Sequence, residues 1–178
     1  MGTATAAGGN AKETGFSWWF SPNTGATNAF GFNLRGGAGR VYDGTFYSLK
    51  GVSYIHAYYD GYVIRWNASS TSAYMGNDFL TADASNKKLG YGVRVVRISS
   101  TLTTQGQTGT YTGNDGKIYR TIAIGTGANL REIVADNLAE TKFRDGSLIP
   151  KVTTNAAWAA LVTAGYCAYE NVETNALP

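Results

Sequence analysis

Tight-turn chemistry punctuates this chain at short intervals and limits it to short elements. Ser21-Pro22-Asn23-Thr24-Gly25, Asp43-Gly44, Asp60-Gly61, Gly76-Asn77 and Gly113-Asn114-Asp115-Gly116 all combine residues that pre-set φ or tolerate positive φ. Between them lie short aromatic and β-branched runs, and glycine is abundant, with 23 in 178 residues. This pattern predicts an α+β, β-rich fold of many short strands with one or two short helices.

Along the chain, residues 1–14 are small and polar and read as a flexible lead-in. Phe16-Ser17-Trp18-Trp19-Phe20 reads as a short buried strand. Phe30, Phe32 and Leu34 alternate, which places them on one face of a strand. Gly36-Gly37 and Gly39 mark a bend or a close backbone approach. Residues 51–80 suggest two or three strands with turns at Asp60-Gly61 and Gly76-Asn77, and Tyr91–Ile98 reads as a β-branched strand. Ser99–Thr110 carries no charge and reads as a linker, joining a segment over 15–98 to one over 111–178, together one domain. In the second segment a strand is expected over Lys117–Ile124. A short helix is expected over Leu130–Leu138, and a better one over Thr153–Ala164, capped by Thr-Thr-Asn and stopped at Gly165.

Composition excludes several functional classes. The charged fraction is 15%, well below the usual quarter, so hydroxyls, amides and aromatics must cover much of the surface. Net charge is +3 and the longest basic run is Lys87-Lys88, so no nucleic-acid partner is expected. No window approaches the length of a membrane-spanning helix, so no membrane insertion is expected. One cysteine, Cys167, rules out an internal disulfide and reads as a small buried hydrophobe.

Catalytic constellations are hard to build. Any Ser-His-Asp or Cys-His arrangement must use His56, the single histidine, and no G-x-S-x-G elbow is present. A histidine metal site would need a second His or a Cys pair. Asn114-Asp115-Gly116 and Asn77-Asp78 offer oxygens, but without EF-hand spacing they read as turns. The chain therefore reads as non-enzymatic, without cofactor or metal. What stands out is the density of aromatic and amide side chains formed by Tyr54, His56, Tyr58, Tyr59, Tyr62, Trp66, Asn67, Tyr74 and Asn77. Tyrosine and tryptophan give large contact area at low entropic cost, and their faces suit sugar rings. Strand alternation sends half such a run into the core or an oligomer interface, and both readings stay open.

Several motifs resemble those of a known family. Lys12-Glu13-Thr14-Gly15-Phe16, Ser21–Asn28, Gly31-Phe32, Gly36-Gly37 with Arg40, and Asp43-Gly44-Thr45-Phe46 resemble the later half of the Fibrobacter succinogenes major paralogous domain. Tyr91–Arg97 is similar to its closing G-F-S-V-R-C-V-R motif. Asp115–Tyr119, Ile122–Gly125, Asp136-Asn137-Leu138, Thr141-Lys142-Phe143, Asp145–Pro150, Trp158–Leu161 and Gly165-Tyr166-Cys167 resemble the opening half. The halves come in swapped order, as in a circular permutation, and the family's Trp-rich middle is missing. The resemblance covers about three quarters of the chain. It implies a C-type-lectin-like, formylglycine-generating-enzyme-like mixed sheet, in which the formylglycine catalytic cysteines have no counterpart. It also implies a secreted, surface or phage protein. With no signal peptide visible, the expectation is a virion module that binds a host-surface glycan or protein. Its partners would be itself or other virion proteins. A purely structural oligomeric virion subunit is the alternative, an extracellular or cell-surface location the alternative site, and a glycan-active enzyme the third reading.

Overall fold

The computed structural model describes residues 4–37, 39–59, 62–73, 75–81 and 86–175, without side chains at 4–6, 57–59, 62–67 and 75–81. Helix α1 (Ala4–Ala11) leads into strands β1 (Gly39–Arg40), β2 (Phe46–Tyr47), β3 (Val52–Tyr59), β4 (Tyr62–Ser69) and β5 (Met75–Thr81). Then come β6 (Val96–Arg97), β7 (Thr108–Thr112), β8 (Ile118–Ile124), β9 (Arg131–Val134) and a single-turn helix α2 (Asn155–Ala159). The protein is β-rich with few, short helices.

The strands form a β1-β2 pair, a three-stranded meander β3-β4-β5 and a four-stranded sheet in the order β6-β9-β8-β7. Every ladder is antiparallel. Parallel pairing, expected from a mixed sheet, is confined among the described residues to single bridges such as Ile55 with Gly92.

The segment expected as a strand over Tyr91–Ile98 is the seam between the three sheets. Gly90 exchanges two backbone hydrogen bonds with Arg40, and Gly92 O accepts from His56 N. Val93 O accepts from Leu138 N and Val95 O from Val134 N before β6 joins β9. The segment changes partner every two residues, so it builds no long ladder despite its β-branched residues. Arg94 anchors it. Its guanidinium donates to the carbonyls of Phe32, Asn33 and Ala135 and to Asn137 Oδ1, with its carbon 4.3 Å from the Phe32 ring centroid. Burial pushes its pKa down to about 9, which leaves it charged at neutral pH.

One apolar cluster joins Ala11, Trp19, Leu34 and Ala68, with Trp18, Phe30, Phe32 and Ile55 packed against it. The indole N–H of Trp19 donates to Leu34 O at 2.9 Å. Other buried residues lie on β8, β9 and the residue after β9 (Tyr119, Ile122, Ala123, Val134, Ala135) and around α2 (Val152, Trp158, Ala168). Each large apolar side chain so buried is worth about 1.5–3 kcal/mol. Gly36 permits close approach, because a Cβ there would lie 2.6 Å from Trp18 O and 2.7 Å from Lys50 Cα.

Several local expectations are corrected. The lead-in over 1–14 is helical over Ala4–Ala11, and Ala11 and Lys12 are buried. Phe16–Phe20 bends rather than forming a strand, so Trp19 is buried while Phe16 and Phe20 are 59% and 57% exposed. Phe30, Phe32 and Leu34 do pack together, but from turns and a single bridge to Lys12. Gly76-Asn77 lies inside β5, and the linker over 99–110 is already strand β7 from Thr108. The helix expected over Leu130–Leu138 is strand β9, because Glu132 and Val134 alternate inward and β8 offers a ladder. Helix α2 keeps its expected cap, Thr154 Oγ1 accepting from Ala157 N at 3.2 Å, but stops at Ala159. Beyond it Val162 is 94% exposed, so a longer helix would bury nothing further.

Candidate functional site

The register of β3-β4-β5 sorts the aromatic and amide residues. Ser53, Ile55 and Ala68 are the members whose side chains reach toward the interior, with Ser53 and Ala68 buried and Ile55 packed on the core cluster. Strand alternation puts Ala57 and Tyr59 of β3 at positions of that same face. The pairings Ile55–Trp66–Asn77, Ala57–Ile64–Phe79 and Tyr59–Tyr62–Thr81 extend it across the sheet. The opposite face has the rows Tyr54–Asn67–Gly76, His56–Arg65–Asp78 and Tyr58–Val63–Leu80.

Of the nine residues singled out from sequence, Tyr54, His56, Tyr58 and Asn67 thus fall on the outward register. Tyr59, Tyr62, Trp66 and Asn77 fall on the core register. Side chains from Tyr58 to Asn67 and at Asn77 lie outside the described residues, as does Tyr74 entirely.

Where side chains are described, the outward face is an aromatic cluster that recruits two residues not singled out from sequence, Tyr47 and Tyr91. The Tyr54 ring lies 5.8 Å from that of Tyr47 and 5.0 Å from that of Tyr91. His56 meets Tyr91 edge-on at 5.3 Å, and the Tyr47 hydroxyl donates to that of Tyr91 at 3.2 Å. All four are half-buried, so the cluster is a rim rather than a free platform. Tyr47 lies on β2 and Tyr91 on the seam; nothing local in the sequence marks either as a neighbour of Tyr54.

His56 Nε2 is buried with no hydrogen-bond partner among the described residues. Burial lowers its pKa, so the fold favours the neutral ring. A base whose folded pKa is depressed contributes stability above its unfolded pKa of about 6.5 that is lost as pH falls through the folded value. Wild-type stability is therefore expected to drop between pH 7.5 and 5.5, measured by urea midpoints at each pH. His56→Gln should flatten that interval; an unchanged slope would rule out His56 as its source.

A second concave site lies on the four-stranded sheet. Val95, Val96, Arg97, Tyr111, Thr121, Glu132 and Val134 line a groove of about 190 Å³. Glu132 is 2% exposed. Arg97 grips it in a fork, Nε to Oε2 at 2.9 Å and Nη2 to Oε1 at 2.7 Å, and Thr121 Oγ1 donates to Oε1 at 2.8 Å. The Arg97 hydrogen bonds, then that of Thr121, hold the Glu132 carboxyl at a pKa of about 2, so it is ionised. Arg97 and Glu132 are far apart in the chain and join only through the β6–β9 pairing, which is why the sequence did not reveal them.

Elsewhere Cys167 is half-buried and burial raises its thiol pKa, away from a reactive thiolate. Among the described residues no group of three His, Cys, Asp or Glu side chains converges as a metal site.

No family model, curated protein or solved structure matches this chain.

Proposed function

We propose that this protein is a non-enzymatic recognition module of a virion or surface appendage that binds a host-surface glycan through the outward face of β3-β4-β5. The two outward rows that hold Tyr54 and His56 carry this reading. They take Asn67, Arg65 and Asp78, next to an apolar outward row Tyr58–Val63–Leu80, whereas the middle rows of the core register take Ile55, Trp66, Ala57, Ile64 and Phe79, with Asn77 at their β5 end. Planar polar groups beside an aromatic rim suit hydroxyl recognition; His56 Nε2 has no hydrogen-bond partner among the described residues to orient it, and burial raises the Cys167 thiol pKa away from a reactive thiolate. A C-type-lectin-like fold of the family named above fits the short-stranded β-rich architecture and belongs to the same proposal.

A glycan array checks it. Binding should fall at least about tenfold on Asn67→Ala or Arg65→Ala, the loss of one good polar contact. Trp66→Ala, on the core register, should lower the melting temperature instead. An array blank for the folded protein, or binding indifferent to both polar substitutions, would overturn it.

A structural oligomeric subunit is the second reading, favoured by one observation. Val93, Val95, Val96 and Ile98 are exposed beside the edge strand β6, and unpaired apolar edges are sites of strand pairing. A stable oligomer in size-exclusion chromatography with no glycan bound would support it.

A further inference from the structure

The groove on the four-stranded sheet is built in a way that fold stability does not require. A buried carboxylate paired to an arginine can often be replaced by apolar residues at no loss of stability, yet here a 2%-exposed carboxylate forms the floor beneath a half-exposed guanidinium. Glu132 occupies Nε and Nη2 of Arg97. The Arg97 side chain is still 53% exposed, and Nη1 makes no bond among the described residues. That leaves the outer Nη1–Nη2 edge of a groove-lining side chain available, with its plane fixed by the fork to Glu132. Such an edge matches the two oxygens of a carboxylate.

The walls are of a different kind. Val95 and Val96 supply exposed aliphatic surface above the buried Val134, and Tyr111 supplies a half-buried ring 6.2 Å from that of Tyr119. Gly109 keeps the floor open, since a Cβ there would lie 3.0 Å from Thr121 Oγ1 and 3.5 Å from Glu132 Oε1. A six-membered ring seated there would set a C–H face against Val95, Val96 and Tyr111 and an acid group on Arg97.

We infer that this groove is a binding site for a carboxylate-bearing sugar residue, of the uronic or sialic acid type. It is separate from the β3-β4-β5 face and does not rest on it. The Arg97 edge supplies charge selectivity, the Tyr111 ring and valine wall supply the ring contact, and Glu132 positions Arg97 without touching the ligand.

The test is a titration of the full chain with glucuronic acid, N-acetylneuraminic acid and glucose, followed by amide chemical shifts. Saturable shifts at Val95, Tyr111 and Thr121 are expected with the two acids, with dissociation constants on the order of millimolar for one open ring-sized site. Glucose should bind at least about tenfold more weakly. Arg97→Gln should abolish the preference. Because it leaves Glu132 unpaired, the double variant Arg97→Met with Glu132→Leu, checked for folding by its amide spectrum, should lose the acids equally. His56→Ala and Asn67→Ala should leave these shifts unchanged, which separates this site from the other face. Absence of saturable shifts, equal binding of glucose, acid binding retained by the folded double variant, or a groove masked by self-association would each overturn the inference.

Discussion

Arg40→Met is expected to lower the free energy of unfolding by about 3–5 kcal/mol. Arg40 is 1% exposed, and its guanidinium meets backbone carbonyls and an amide where a carboxylate would be expected. Nε donates to Gly44 O at 2.8 Å, Nη1 to Val152 O at 2.7 Å, and Nη2 to Thr153 O at 3.0 Å and Asn155 Oδ1 at 3.3 Å. The Phe46 and Trp158 ring centroids lie 4.6 and 4.5 Å from its central carbon. Methionine fills much of the volume but donates nothing. Thr153 O keeps a donor in Asn171 Nδ2, whereas Gly44 and Val152, both in buried residues, lose theirs at about 1–3 kcal/mol each. The two cation–π contacts are lost as well, offset in part by methionine's own contact with the same rings. At roughly 2–4 °C per kcal/mol for a chain this size, the melting temperature should fall by roughly 10 °C. Arg40→Lys should recover only part of this, because an ammonium cannot reach all three carbonyls at once. A denaturant midpoint within about 1 kcal/mol of wild type for Arg40→Met would refute the account.

The same device recurs. Lys12 and Arg40 are buried and Arg94 is half-buried; each donates to carbonyls of irregular backbone and lies over an aromatic ring. Regular strands satisfy their own carbonyls, but loops do not. Where this chain runs as two-residue strands and bends, it needs donors delivered across long sequence separations. A long cationic side chain delivers several from one position. Arg40 ties residue 44 to residues 152–155, and Arg94 ties the loop at Phe32 and Asn33 to Ala135. These cations hold the sheets together where continuous ladders are lacking.

That explains which parts of the sequence were legible. Turn residues act locally, so Asp43-Gly44 and the turn at Asn23–Gly25, with Asn23 at φ 44° and Gly25 at φ 70°, read correctly. Strand β8 read correctly because β-branched residues dominate it. Tyr91–Ile98 has the same local composition, but its pairing is decided by residues 55, 56, 132–134 and 138, which no local pattern encodes. The aromatic run over β3 and β4 was visible as chemistry. Its division into two faces needed the register, and the register needed the buried Ser53, Ile55 and Ala68 as a reference. The Arg97–Glu132 groove and the Tyr47–Tyr91 rim join residues 35 and 44 apart in sequence and were out of reach.

Lys12→Met is the second large expected effect, about 2–4 kcal/mol, and it bears on the part of the chain that looked most dispensable. Small polar residues read as a flexible lead-in because they carry no side chain to pack. The same smallness lets backbone approach backbone: a Cβ on Gly9 would lie 2.2 Å from Gly25 O. Gly9 N donates to Ala73 O, Gly9 O accepts from Thr27 N, and Leu34 N donates to Ala11 O. At the end of this packed segment Lys12 is fully buried, its Nζ donating to Thr24 O at 2.9 Å, Ser69 O at 2.9 Å and Ser72 O at 2.8 Å, 5.3 Å from the Trp19 ring centroid. Desolvation lowers its pKa, the mark of a cation held where water is scarce. Three carbonyls converging on one nitrogen fit an ammonium and not the wider guanidinium, so Lys12→Arg should rescue little. Hydrogen exchange should accelerate at Gly9, Thr27 and Leu34 in Lys12→Met, because those amides bond within the clamp. Deleting residues 1–13 should cost at least as much as the point substitution. A truncated chain with wild-type stability would mean that the helix merely rests on the surface and that the Lys12 clamp holds nothing.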